Sequence, residues 1–283
     1  MAQLDVKQVE ELEKKYDSGL HIRVAGPWLI KFTFFFSVLF AAYHYVTAGT
    51  GVPVDYWHMG FHMSGVIILV FICYPMVKRS HSRELHLNTW WRYSNVPIWD
   101  WLLILAGVSS SLYVGITWYE IDFELLGWRF FLPEQVLRQG DPAFIDVVFG
   151  TVLIAVLLEA VRRTLGFVVP IIILLFTAYA VFGQYMPLMI LKHPGINWAQ
   201  YINNMYFPAE GIYGVTLWIV STVVFHFVLF GVLAQRMGLG QFFVDVATVM
   251  AGRYTGGLAK VSVVSSAFFG TISGSSIANT VST

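Results

Sequence analysis

Residues Tyr213–Gln235 read YGVTLWIVSTVVFHFVLFGVLAQ, a run of 23 residues without one Asp, Glu, Lys or Arg and with a single imidazole, His226. At 1.5 Å per residue such a run covers about 35 Å as an α-helix, more than the roughly 30 Å of a bilayer's hydrocarbon core. A helix pairs its backbone groups within itself, which is the condition for standing in lipid. The run therefore reads as a membrane-crossing helix.

Working outward, the same ruler finds five more spans, at about Leu29–Ala48, His58–Val77, Pro97–Trp118, Ala143–Val161 and Leu165–Tyr185. The fold class is all-α: a polytopic helical membrane protein of about six transmembrane helices plus the start of a re-entrant hairpin. The 283 residues are 57% hydrophobic and 12% charged, half the charged share of an ordinary soluble domain. Pro27 and Pro97 suit first helical turns, where a missing N–H costs nothing. Pro170, inside the fifth span, predicts a kink.

Net charge is zero, so nothing points to nucleic acid. The placement of Lys and Arg is informative instead. With the N-terminus cytoplasmic, fourteen fall on the cytoplasmic side: Lys7, Lys14, Lys15, Arg23, Lys31, Lys78, Arg79, Arg83, Arg92, Arg162, Arg163, Arg236, Arg253 and Lys260. Three, Arg129, Arg138 and Lys192, fall outside. By the positive-inside rule this asymmetry fixes the orientation. The polar N-terminal segment lacks the basic start and apolar core of a signal peptide. The lone Cys73 lies in an apolar run and reads as a small hydrophobe.

The two long outer connections, Tyr119–Pro142 and Met186–Ile212, mix aromatics with charges and predict interfacial helices or an aromatic belt. Gln241–Arg253 has apolar residues at helical spacing and is too short to span, so it predicts an amphipathic helix ended at Gly256-Gly257.

Residues 270–283 read GTISGSSIANTVST. Glycine and serine favour a break in the helix, and irregular backbone at membrane depth survives only where protein or a water-filled cavity surrounds it. Released carbonyls and hydroxyls can then replace the hydration shell of a cation, and a half-helix N-terminus can receive a carboxylate. Close helix packing through Gly270-xxx-Gly274 is the competing reading. Small polar residues on every side of the helix favour the hairpin, because packing needs only one face.

Other candidate chemistry is sparse. His44, His58 and His62 lie toward one membrane side, and His226 sits mid-span; together they admit a b-type haem anchor of a redox complex. His226 is also a candidate supporting polar group, because a polar side chain at that depth is expensive. Glu159 with Arg162 and Arg163 has ion-pair spacing. Asp100 and Asp146 lie in first helical turns, where the helix dipole favours a carboxylate. No phosphate-binding loop is present, so direct coupling to ATP is unsupported, and no catalytic constellation suggests an enzyme.

The terminal GTISGSSIANTVST, preceded by AGRYTGGLAKVSVVSSAFFG, resembles the first re-entrant hairpin of the large membrane subunit of tripartite ATP-independent periplasmic (TRAP) transporters, with the TAXI branch and its fused subunits most similar. Glu159–Gly166 and Phe207–Ala247 resemble the matching connection and helix. The resemblance implies a permease of the bacterial inner membrane that imports an organic acid, dicarboxylate-like, delivered by a periplasmic solute-binding receptor and driven by Na+ or H+. It implies no cofactor beyond that ion. By position it places the cation and substrate hairpin at Ser273, Gly274, Ser275, Ser276, Ala278, Asn279 and Thr280. Asn279-Thr280 is similar to the Ser-Asn-Thr motif of divalent-anion/sodium symporters, with Ala278 in place of the serine. The implied organisation is a cytoplasmic segment at 1–28, a four-helix small-subunit-like scaffold at 29–161 and the start of the transport domain at 162–283. The family's large subunit has a second, inverted half, so the expected partners include a missing C-terminal half of that domain.

Overall fold

The computed structural model describes residues 23, 26–76, 92–93, 96–125, 128–207 and 211–271. Six helices are long and apolar enough to cross a membrane, at Pro27–Thr50, Asp55–Cys73, Ile98–Ile116, Phe144–Leu165, Val168–Tyr185 and Val215–Ala234. All six expected spans are present, with ends shifted by a few residues. The chain is an all-α polytopic membrane protein.

In chain order the elements are α1 (Pro27–Thr50), α2 (Asp55–Cys73), a two-residue ladder β1 (Arg92–Tyr93) with β2 (Val96–Pro97), and α3 (Ile98–Ile116). A hairpin, β3 (Ile121–Leu125) with β4 (Trp128–Leu132), leads to α4 (Phe144–Leu165), α5 (Val168–Phe182) and α6 (Trp198–Tyr206). Then come α7 (Val215–Ile219), a π-turn (Val220–Val224), α8 (Phe225–Arg236), α9 (Leu239–Ala251) and α10 (Gly257–Gly270).

The chain divides into two units, residues 1–40 with 52–218, and 41–51 with 219–283. In the first, α2, α3 and α4 pack around Ile67, Phe71, Val114 and Leu153, all fully or almost fully buried. Helix contact in lipid relies on close van der Waals fit, because lipid tails are as apolar as leucine. Gly107 supplies that fit: an added Cβ would meet Ile67 at 2.8 Å and Val156 at 2.9 Å. Ser111 Oγ donates across the same interface to Gly60 O at 2.9 Å. The outward face of α5 carries Leu175 at 65% and Phe176 at 68% exposure, as lipid-facing residues do.

In the second unit α9 and α10 pack through aromatic rings, with Phe243 stacked on Phe268 at 5.4 Å and edge-on to Phe269 at 5.9 Å. The amphipathic helix expected to end at Gly256-Gly257 ends earlier, at Ala251 with Gly252 as its C-cap, and Gly256 instead opens α10 with φ +74°, a conformation that strains any residue with a Cβ.

Two expectations are corrected. Pro170 makes no mid-helix kink: the helical run breaks at Gly166 (φ +87°), α5 starts at Val168, and its first helical bond runs from Ile171 N–H to Phe167 O. Pro170 thus sits in a first turn, where it removes no bond. The outer connection Tyr119–Pro142 forms a β-hairpin and a 3-10 turn (Gln135–Arg138) rather than a helix. Ile121-Asp122-Phe123-Glu124-Leu125 alternates apolar and polar, the period of a strand, and Arg129 bonds both carboxylate oxygens of Asp122 across the hairpin. That hydrogen bond holds the Asp122 carboxyl below the usual carboxylate range. The other outer connection does contain a helix, α6, whose start is capped by Asn197 Oδ1 accepting from Gln200 N–H at 2.8 Å.

Candidate functional site

The apolar run that opened the sequence reading is not one uniform α-helix. Between α7 and α8 the backbone widens into the π-turn, where Phe225 N–H bonds to Val220 O. Such turns shift the hydrogen-bond ladder by one residue and are frequent at functional sites. His226 lies two residues beyond the turn, half-buried, and Ser221 within the turn is fully buried.

The ring of His226 faces main-chain oxygen on both edges. Nδ1 meets Thr222 O, one turn back, and Nε2 meets His44 O in the segment 41–51. His44 O also accepts from Thr47 Oγ1 at 3.0 Å. The His44 ring is buried and packs against Phe225 at 4.3 Å, with the His226 ring centroid 6.1 Å away. His58 and His62 are buried in α2 of the other unit. Because both nitrogens of His226 already face carbonyls, its ring is not presented as a haem ligand. Among the described residues no group of three or more His, Cys, Asp and Glu could hold a metal ion.

The second unit carries the chain toward the expected hairpin. α10 ends at Gly270, and Thr271 donates its hydroxyl to Phe268 O at 2.6 Å. The expected ligands Ser273, Gly274, Ser275, Ser276, Ala278, Asn279 and Thr280 lie outside the described residues.

Polar groups of the first unit form two buried networks at opposite ends of α3 and α4. At one end Asp100, fully buried, accepts from Arg163 Nη2 at 2.8 Å and from Arg23. Arg163 Nε bonds Glu159 at 2.8 Å, and Arg162 bonds both Glu159 oxygens at 2.7 and 2.8 Å. These arginines also cap the chain leaving α2, where Tyr74 O accepts from Arg163 at 3.2 Å and Met76 O from Arg162 at 3.1 Å. Cations are favourable at that end of a helix. At the other end Asp146 accepts from Tyr113 OH at 2.6 Å, from Arg138, and from Ala143 N–H at 2.9 Å. Tyr206 and Tyr213 donate to Ser110 O and Ser111 O nearby on α3. Burial pushes the pKa of both phenols up, so they stay neutral and act as donors.

The Glu159 pairing with Arg162 and Arg163 is as expected from their spacing. The partners of Asp100 and Asp146 were not foreseen, although a carboxylate opening an apolar helix already signals that some cation lies at its depth. The π-turn left no sequence signal beyond the serine, threonine and histidine that it contains or adjoins.

The family model of the tripartite ATP-independent periplasmic transporter, DctM component, matches residues 152–283, from within α4 to the last residue of the sequence. Neither the curated proteins nor the solved structures contain a match.

Proposed function

We propose, from the match of residues 152–283 to the DctM component of tripartite ATP-independent periplasmic transporters, that the chain is a permease component that imports an organic acid, dicarboxylate-like, by coupling it to Na+ or H+. The family match carries this reading, and six membrane-length apolar helices support it. In this account a periplasmic receptor delivers the acid, the N-terminus is cytoplasmic in a bacterial inner membrane, and residues 29–161 form a small-subunit-like scaffold. The transport part then begins near residue 162, within α4 and close to the start of the matched segment.

The cation and substrate would be held where GTISGSSIANTVST opens the backbone, at Ser273–Ser276 and Ala278–Thr280. Backbone oxygens and serine hydroxyls replace water around a hard cation, and a half-helix N-terminus answers the carboxylate. Ala278 supplies only main-chain groups, which shifts the coordination toward carbonyls.

The test is solute uptake into vesicles holding the intact transporter and its receptor. Ser275→Leu and Gly274→Val are expected to abolish cation-driven uptake while leaving membrane insertion unchanged, because bulk at either position fills the cavity. Unchanged uptake in both variants would refute the ion-site assignment.

A further inference from the structure

A chain that leaves a membrane helix ordinarily runs out into water, yet the segment after α5 turns back beside it. Tyr179 is six residues, about 9 Å, short of the end of the span Val168–Tyr185. The returning segment reaches that level: Ile196 N–H donates to Ala180 O at 3.1 Å, and His193 Nε2 meets Tyr179 O at 3.0 Å. Helical side chains lean toward the N-terminus, so the Tyr179 hydroxyl lies no nearer the helix end than its own Cα, and it donates to Leu191 O at 2.8 Å. Residue 191 is therefore at the depth of the span.

Two glycines permit this close return. A Cβ on Gly183 would overlap the His193 ring, and Gly195, with φ +74°, would bring a Cβ to 2.7 Å from Val181 O. Gly195 N–H also donates to His193 Nδ1 at 3.1 Å, so both ring nitrogens are used in main-chain bonds. The segment so held turns Leu188, Met189, Ile190 and Leu191 outward, with Met189 and Ile190 each 92% exposed. In water these apolar side chains would keep the cost that folding normally removes. The main chain between them suits the opposite medium, with Leu191 N–H bonded to Leu188 O at 3.0 Å and Lys192 N–H to Met189 O at 3.3 Å. Paired backbone is what hydrocarbon demands. The apolar face continues the lipid-facing surface of α5 through exposed Phe182 and Tyr185. Lys192, also exposed, has a stem long enough to carry its ammonium to headgroup level.

We propose that residues 188–191 are a lipid-inserted loop, whose four apolar side chains seat among the acyl chains of the leaflet at that end of α5, with Lys192 at the phosphate level. The occupant of this face is the bilayer itself. Depth argues for it, because a segment bonded to Tyr179 lies where α5 already meets lipid. The loop would anchor the connection between α5 and α6 against the membrane. This inference uses only the membrane-spanning character of α5 and stands whether or not the chain is a permease.

The test is electron paramagnetic resonance of the intact transporter in lipid bilayers, with a nitroxide on Met189→Cys or Ile190→Cys in a Cys73→Ser background. Phe176→Cys on the lipid face of α5 and Gln139→Cys at an exposed polar position give the lipid and water references. Oxygen concentrates in hydrocarbon, whereas a hydrophilic nickel chelate stays in water. Both loop labels are expected to relax with oxygen and to ignore the chelate, as the label at 176 does. Relaxation by the chelate, as at 139, would overturn the proposal. Protection from both reagents would overturn it too, by showing that another protein surface, a second copy or another part of the transporter, covers the loop. In protein without these cysteines, lipid acyl protons should pass magnetisation to the 13C-labelled methyl of Met189 in solid-state NMR, the signal being assigned by its loss in Met189→Leu. No transfer to that methyl would contradict insertion.

Discussion

Asp100 and His226 are both ionisable groups on apolar helices, and their surroundings differ in kind. Asp100 is fully buried against Arg163 and Arg23, and the whole first unit repeats that pattern with Asp146 and Arg138. His226 meets main-chain oxygen at a π-turn, and among the described residues the ion pairs all lie in the first unit. Charge pairs with fixed geometry lock helices in one arrangement, because parting them strands a charge in a medium that cannot solvate it.

The largest test of that contrast is Asp146→Leu. It leaves Arg138 buried without its carboxylate and is expected to cost about 3–5 kcal/mol in detergent unfolding, with most of the loss recovered in Asp146→Leu/Arg138→Leu. In the second unit Asp245→Asn, at an exposed bond to Gln241, should move stability by less than about 0.5 kcal/mol. Equal effects at the two sites would erase the distinction between the units.

Packing gives the next effect. Gly150 faces Ile202 and Tyr206 where α4 meets α6, and a Cβ there would overlap Ile202. Gly150→Val is expected to cost about 1–3 kcal/mol, read from the same unfolding transition. A neutral result would mean that α6 is not seated on α4 as described.

The smallest effect belongs to the surface pair of the β-hairpin. Asp122 has its pKa lowered by Arg129, so its contribution is present above the ordinary carboxylate range and is lost as pH falls through the lowered value. Amide NMR of the β3–β4 strands should show the pairing weaken only on strong acidification, and Arg129→Ala should leave the global midpoint unmoved, because both side chains are solvated.

How much of this was legible in the sequence follows from which forces leave a local trace. The six spans did, because the hydrocarbon thickness sets a length that an apolar run must meet. The Glu159–Arg162–Arg163 cluster did, because helix geometry brings residues three and four apart together. The partners of Asp100 were hidden, since Arg23 and Arg163 lie 77 and 63 positions away and only packing unites them. The hairpin at 121–132 was misread because aromatics beside charges suggested the interface, while the two-residue alternation of Ile121–Leu125 was the stronger signal. Pro170 was misplaced by three residues of helix start, and that small shift changed its meaning from kink to first turn. His226 stood out by type, but its two carbonyl partners depend on a π-turn that no residue pattern announces.

The central proposal is that the hairpin expected at residues 273–280 opens the main chain to water and cations at membrane depth. Single cysteines at Ser273, Ser275, Ser276 and Asn279, in a Cys73→Ser background of the intact transporter in native membranes, measure this directly with a water-soluble thiol reagent. The account predicts labelling at two or more of the four positions, slowed by sodium or by acidification according to the coupling ion. Four unreactive thiols that no cation affects, as for an unbroken helix facing lipid, would contradict it.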